Sequence, residues 1–553
     1  MTEEMPHHRQ AVSQGGSAML LLMAVHFDAL RLNPARYLRG LWWKLCGKRL
    51  RARLTIAPLL GASPRAYRLW MAQEATTNRI EPRPRSDAPP VVALVRSGPG
   101  EEATLASLAT EGIAARLAPA RADATLQTLL RQARGTWVLP IYAGDILATG
   151  AGEAVRKALA ETADTTRIIY ADDDLLGKDG QRRDPHFKPD WNAELYRHFD
   201  YLSGTALIHL SKADNTAPLA DDWPASLARQ AAECRGQPVH LREVLYHRHR
   251  RPKPQRPGPL KLTPEERRSL PSVSIIVPTR NRVDLLRPCL EGIAATDYPR
   301  RKEIIVIDNG SDEPQTLRYL ADLDPDFARV VVDHGPFNFA ALNNSAVTEA
   351  SGDLLCFLNN DIEITDPQWL TVMAHQAMRA DVGAVGAQLL YPDGRIQHAG
   401  VVLGIGGGAA HAHRLLKPDE AGYFRRHALP QFASAVTAAC MVMRKSSFLA
   451  VGGFDAENFA VSFNDVDLCL RLNACGWQSL YEPRAQLVHH ESVSRGLDRD
   501  PVGAKRQARE LAVLRSRWGV REPSPDDDWR SWQADPFHHP ALSPFSEQFE
   551  LRV

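Results

Sequence analysis

Between Asp28 and Glu74 this chain of 553 residues has no acidic side chain. Over the whole chain the charges nearly cancel: the formal net charge is +2, so no global basic excess exists to neutralise phosphates, which excludes a general nucleic-acid binder. The seven cysteines (46, 234, 289, 356, 440, 469 and 475) are odd in number and include no CxxC pair. They read as reduced, mostly buried residues of a cytosolic protein rather than a disulfide framework. No apolar run reaches the roughly 18 to 20 residues that a spanning helix needs. The best, Ala18 to Val25, is too short, follows acidic residues and lacks a small-residue cleavage site, so it does not read as an export signal.

What is present is enough for two or three domains, since the length exceeds one ordinary core. Residues 1–85 form a basic, helical N-terminal region in which Arg31, Arg36, Arg39, Lys44, Lys48, Arg49, Arg51 and Arg53 surround Leu38, Leu41, Trp42, Trp43 and Leu45. A basic helix with Trp and Leu on its other face suits an anionic membrane surface, with contact through residues 31–53. The plain alternative is a solvated helix docked on the next domain through its tryptophans. Residues 86–246 show a first α/β pattern, with strand-like Val91–Val95, Trp137–Ile141 and Ile168–Tyr170, the last running into Asp172-Asp-Asp174. The Pro- and Arg-rich stretch 247–271 reads as a linker. Residues 272–500 form a second α/β domain, and 501–553 a tail with a helix around Lys505–Trp518. Both α/β segments run strand, helix, then an apolar strand with Asp at or soon after its end, the outline of a diverged duplication.

The second segment carries the chemistry. Its strands end in Pro278-Thr-Arg-Asn-Arg282, Asp308-Asn-Gly-Ser-Asp312 and Asn359-Asn-Asp361, which puts these groups at the carboxyl edge of a parallel sheet, where open α/β sheets bind ligands. Taken singly each has an ordinary explanation: Asn-Gly and Ser-Asp are common turn residues. Asp465 opens the helical stripe Val466, Leu468, Leu470, Leu472, where an acid can simply oppose the helix dipole. Asn338-Phe-Ala-Ala-Leu-Asn-Asn-Ser345 is an Asn-rich helix entry. His489 can be a satisfied imidazole or a neutral metal ligand, with His490 as the fallback. Mg²⁺ and Mn²⁺ prefer oxygen ligands and usually bind one or two carboxylates plus substrate phosphates, which Asp361 suits.

The ordered set VSIIVPTRNR, IIVIDNGSD, FNFAALNNSAV, GDLLCFLNNDIEI, LLYPDGRIQHAGVVLGIGG, SAVTAACMVMRK, GGFD, FNDVDLCLRL and VHHESVSRG resembles glycosyltransferase family 2, in particular its bacterial surface-polysaccharide branch with tandem GT-A-like domains. The resemblance covers about Val273 to Gly496. It implies a GT-A fold (a Rossmann-related α/β class, here in two copies, the first degenerate), a nucleoside-diphosphate sugar donor, a divalent metal (Mg²⁺ or Mn²⁺) and inversion at the anomeric carbon. It also implies a saccharide or polyprenyl-linked acceptor and a cytoplasmic location, peripheral on the inner face of the plasma membrane. Pro278, Thr279, Asp308 and Asp312 match the nucleotide-binding turns, and Asn281, Asn309 and Asn343 are taken with them as donor-binding residues. Asn359, Asn360 and Asp361 match the DxD position, with Asn in place of its first acid; Asp361 and His489 are the implied metal ligands and Asp465 the catalytic base. Asn464 stands where many relatives have Glu.

In the first half Tyr170-Ala-Asp-Asp-Asp174 and Asp184-Pro-His-Phe-Lys-Pro-Asp-Trp191 resemble tandem members of the branch, but Tyr142-Ala-Gly-Asp145 replaces a DxD and no counterpart of IDNGSD or of the His/Ser ending is evident. Three alternatives follow: a sugar-nucleotide-binding scaffold without activity, a bifunctional transferase with both domains active through Asp172–Asp174, and a nucleotidyltransferase, which the glycine-free Pro278–Arg282 turn disfavours.

Overall fold

A computed structural model describes residues 7–77, 89–211, 218–234, 236–490, 501–521 and 534–553. The expected Glu491-Ser-Val-Ser-Arg495 ending lies outside the described residues. Four helices come first: α1 His7–Leu32, α2 Pro34–Leu45, α3 Arg49–Gly61 and α4 Ala66–Thr77. Asn33 caps α2 by accepting the Arg36 N–H, with Pro34 in the first turn, where its missing N–H costs nothing. Among the described residues no helix is long and apolar enough to cross a membrane.

The first α/β domain has strands β1 Val91–Arg96, β2 Ala114–Ala118, β3 Trp137–Tyr142, β4 Ile146–Leu147, β5 Ile168–Leu176, β6 Arg182–His186, β7 Ala206–His209 and β8 Val239–Arg248. They are ordered β2-β1-β3-β7-β5-β8-β4, with β6 on β5. The second domain has β9 Val273–Thr279, β10 Lys302–Asp308, β11 Arg329–Val332, β12 Leu354–Leu358, β13 Ile362–Glu363, β14 Val382–Leu390, β15 Ile396–His398, β16 Val401–Leu403, β17 Ala409–His411, β18 Gln431–Ala433, β19 Cys440–Arg444 and β20 Gln478–His489. Its main sheet runs β11-β10-β9-β12-β19-β14-β20-β13, and β16 and β17 form a separate hairpin. The apolar strands β9, β10 and β12 are buried almost throughout, as a sheet covered on both faces requires. Gly352 lets the chain enter β12 tightly, since a Cβ there would sit 2.5 Å from the Ser274 amide nitrogen.

The two sheets repeat one plan. Dropping β11 from the second leaves the same succession of strand directions: parallel, parallel, antiparallel, antiparallel, parallel, antiparallel. The match extends to register, because Ile146 of β4 faces His247 of β8 as Ile362 of β13 faces His489 of β20. Two α/β domains of one plan behind a helical N-terminal segment, as the sequence led us to expect, are therefore what the chain adopts. One boundary differs from the sequence reading: β8 continues through His247 and Arg248, two residues into the Pro- and Arg-rich stretch.

The tail ties the parts together. Asp535 accepts the Leu403 N–H at 2.8 Å, the Phe537 carbonyl accepts from Arg426 at 2.9 Å, and His539 reaches Asp172 of the first domain at 3.0 Å. Ala541, Leu542 and Phe549 fill an apolar cluster with Tyr67 and Trp70 of α4, Phe187 of the first domain and Val402 and Ile405 of the second. Between the domains directly, Arg379 donates to the buried Glu194 carboxylate at 2.7 Å.

Candidate functional site

The carboxyl ends of β9 and β12 open into a cavity of about 740 Å³ in the second domain. Its walls include Pro278, Thr279, Asn281, Asn359, Asn360, Asp361, Asp465 and His489, so eight of the twelve residues singled out from sequence converge there. Asp308, Asn309, Asp312 and Asn343 are not among the lining residues. They shape the turns behind it. Asp308 Oδ1 accepts the Ser311 N–H at 3.0 Å, and Asn309 Nδ2 donates to the carbonyls of Asp333 and Gly335. Asn281 is locked to Asp312 in both directions: its Nδ2 donates to the carboxylate at 2.7 Å and its Oδ1 accepts the Asp312 N–H at 2.9 Å. Asn343 Nδ2 donates to the Phe339 carbonyl of its own helix. Asn281 and Arg282 both have positive φ, 56° and 59°, a conformation rare for non-glycine residues and held here by these bonds at the cavity rim.

Asp361 follows the tight turn Asn359–Ile362 and is buried. Its Oδ1 lies 3.1 Å from His489 Nε2. His489 Nδ1 contacts Gln397 Oε1 at 2.7 Å. A carbonyl oxygen only accepts, so Nδ1 carries a proton and Nε2 is the ring nitrogen turned to the carboxylate. Burial alone would raise the Asp361 pKa, but the imidazole beside it outweighs that and holds the carboxyl below its usual range. A carboxylate held ionised beside an imidazole nitrogen fits a divalent cation in place of the proton between them, and an imidazole fixed through its other nitrogen is the usual support for such a ligand. Asn359, at the position of the first acid, places its Nδ2 3.4 Å from the same Nε2, so the protein supplies one carboxylate there. His490 is tied to Glu363 at 3.0 Å and does not line the cavity.

Asp465 enters from the other wall at the first turn of the helix Asn464–Ala474, after Phe463 in a left-handed conformation. Its Oδ2 accepts the Ala438 N–H at 3.1 Å and its Oδ1 the Val466 N–H at 2.8 Å, which fixes the carboxylate at the cavity. The helix Pro501–Trp518 braces this entry. Its buried Glu510 accepts the N–H groups of Val461 and Ser462, and Arg517 and Trp518 bond Asp467. Gln397 and Glu510 went unnoticed in the sequence; the only signal for Gln397 is its place in the motif Ile396-Gln-His-Ala-Gly400.

The first domain carries the same positions with their chemistry closed off. Asp145, equivalent to Asp361 by strand register, accepts the His249 N–H at 2.9 Å and is paired with the buried guanidinium of Arg248 at 3.3 Å. His247, equivalent to His489, turns to Asp174 at 2.7 Å. A Cβ on Gly100 would lie 2.7 Å from the Gly144 Cα, so the loop after β1 presses directly on the Tyr142–Asp145 turn. Asp172, Asp173 and Asp174 are buried and neutralised from inside: Lys188 and Arg251 reach Asp173, and Arg182 and Tyr67 reach Asp174.

Asp172, His240 and His539 cluster closely enough to hold a metal. Their protons do not fit one. Ala541 donates its N–H to His539 Nδ1, which leaves the proton on Nε2, the atom facing Asp172. His240 bridges Asp172 at 2.9 Å and Asp190 at 3.1 Å; burial lowers its pKa, but the two carboxylates outweigh that and keep it raised. The group is a hydrogen-bonded clamp that anchors the tail; burial lowers the pKa of His539, which outweighs the pull of the Asp172 carboxylate.

Residues 274–452 match the sequence profile of Glycosyl transferase family 2. Among curated relatives, it is 35% identical over 462 residues to the uncharacterized protein y4gI of Sinorhizobium fredii, covering 76% of this chain and 50% of that protein. It is 34% identical over 408 residues to the O-antigen biosynthesis protein RfbC of Myxococcus xanthus, covering 66% of this chain and 32% of that one. The chain thus spans half or less of the length of these relatives. Among solved structures, the mannosyltransferase PcManGT of Pyrobaculum calidifontis, in complex with GDP-Man and Mn²⁺, aligns with 46% of this chain and 66% of its own at 20% identity and a TM-score of 0.34.

Proposed function

We propose that the second domain transfers a sugar from a nucleoside-diphosphate donor to a hydroxyl of a saccharide or polyprenyl-linked acceptor, with inversion, during synthesis of bacterial cell-surface polysaccharide. The family match of the domain and the O-antigen role in the name of the Myxococcus relative support this reading. The single observation that carries it is the convergence of Asp361, His489 and Asp465 on one cavity. Asp465 removes the proton from the acceptor hydroxyl; its oxygen bonds to the anomeric carbon as the bond from that carbon to the diphosphate oxygen breaks. Asp361 and His489 would hold Mg²⁺ or Mn²⁺, which supplies charge neutralisation for the leaving diphosphate. Pro278, Thr279 and Asn281 on one rim, with Asn359 and Asn360 behind, would receive the nucleotide, and the turns built by Asp308, Asn309 and Asp312, with the helix that carries Asn343, would support them.

The first domain is, on this reading, a closed copy that serves as platform for the tail, because its acids are already paired with Arg248, Lys188, Arg251 and Arg182. That disfavours two active domains. The place of action would be the cytoplasmic side, peripheral to the inner face of the plasma membrane. A thermal-shift panel of nucleoside-diphosphate sugars with and without Mn²⁺ tests the donor class: one donor should stabilise the protein in a Mn²⁺-dependent way. Binding of a donor without any transfer in the presence of acceptor extracts would favour the scaffold alternative.

A further inference from the structure

Trp42 of the basic N-terminal region is not docked on the next domain. Trp42 is 60% exposed, with Leu38 and Leu45 on the same side of α2, as positions 38, 42 and 45 require at 100° per residue. The helical layer joins the rest of the molecule through α3 and α4 instead, with Leu54 against Gly406 and with Tyr67 and Trp70 in the shared apolar cluster. On α1, Met19, Met23 and Phe27 recur every four residues and are more than half exposed, while Val25 and Ala29 on the opposite face are fully buried. Both helices therefore turn an apolar ridge outward, the reverse of what an aqueous surface favours.

We propose that these outward faces of α1 and α2 dock on an anionic lipid bilayer. From Ala18 to Gln73 the sequence has ten Lys or Arg against one acid, Asp28, in a chain whose net charge is +2. Asp28 is itself neutralised by Arg65 at 2.5 Å. The cations flank the ridges: the Arg31 guanidinium lies 5.8 Å from the Phe27 ring centre and the Lys48 ammonium 4.6 Å from that of Trp43. An apolar ridge sinks into the acyl boundary while flanking cations meet lipid phosphates. A second copy of this chain would bring two strongly basic faces together, and nucleic acid has no use for a Met, Leu and Phe ridge. The layer abuts the β16–β17 loop through Leu54, and β17 ends in His411, which lines the active-site cavity. Docking would thus hold that cavity beside the bilayer, where a lipid-linked acceptor resides. Only this last step rests on the transferase reading.

The test is co-sedimentation of the full chain with vesicles of phosphatidylcholine alone or mixed with phosphatidylglycerol. The protein should bind the anionic vesicles and not the neutral ones, and high salt should weaken binding. The pairs Trp42→Ser/Leu45→Ser and Met23→Ser/Phe27→Ser should each lower partitioning about tenfold without changing the thermal melt. If either fails to fold, Arg39→Glu/Lys44→Glu on the exposed surface should do the same. No binding to anionic vesicles, or equal binding by folded variants, overturns the proposal. So does a dimer in light scattering that these variants dissociate, which would make the face a self-contact. Donor stabilisation is read separately in the Mn²⁺ panel: vesicle binding without it would sink the transferase reading alone.

Discussion

Asp361 Oδ1 and His489 Nε2 stand 3.1 Å apart, and the other nitrogen of that imidazole donates to Gln397 Oε1 at 2.7 Å. Gln397 is a positioning residue in this arrangement. Gln397→Ala should weaken Mn²⁺ binding about 10- to 100-fold with the fold intact, and Gln397→Glu, which keeps an acceptor for the Nδ1 proton, should restore most of it. The Mn²⁺ dissociation constants decide this, with a thermal melt as the check on folding.

Asp465→Asn keeps the side-chain shape and its bond to the Ala438 N–H but removes the base. Transfer should fall by about 10²- to 10⁴-fold while donor binding stays near that of the native chain. Initial-rate assays beside donor titrations separate the two. Parallel losses of both would assign Asp465 to binding rather than proton removal.

In the first domain Arg248 occupies the side of Asp145 that a ligand would need. Arg248→Met leaves that carboxylate buried and unpaired, which should lower stability by about 3 to 5 kcal/mol. Denaturant unfolding measures it, and Mn²⁺ binding at the second domain should not change. An Arg248→Met protein of native stability would mean that the pair does not close the site.

Glu194 links the domains through Arg379. Burial pushes its pKa up, but His198 and Arg379 outweigh that and bring it down to about 2, from the ordinary 4.5. A depressed carboxylate contributes stability that is fully present above its unfolded pKa and is lost as pH falls from 4.5 towards 2. Glu194→Gln should therefore flatten the loss of stability in that window, by an amount on the order of 3 kcal/mol at most. Thermal melts of both proteins from pH 6 down to the acid limit, about two buffers per unit, provide the comparison.

Much of the second domain was legible because its strands are apolar runs that end abruptly in polar groups, and the spacing of those ends marks a sheet edge. Asp361, His489 and Asp465 could be named from that pattern with the family resemblance. Gln397 could not, since it lies 92 residues from His489 in sequence and meets it only through the strand pairing. Glu510 was hidden for the same reason: it steadies the Asp465 loop from a helix that reads as tail. His247 looked like linker because Pro and Arg crowd behind it, yet its pairing with Ile146 makes it the partner position of His489. The exposure of Trp42 was equally unreadable, since a tryptophan beside arginines suits a lipid face and a docked helix alike.

The most direct measurement is Mn²⁺ titration, followed by electron paramagnetic resonance, in the presence of the donor's nucleoside diphosphate, for the native chain and for Asp361→Asn and His489→Ala. The native chain should bind one ion tightly, and each variant should weaken it at least about tenfold with an unchanged melt. Native affinity in both variants would contradict the assignment of the second-domain cavity as the donor site.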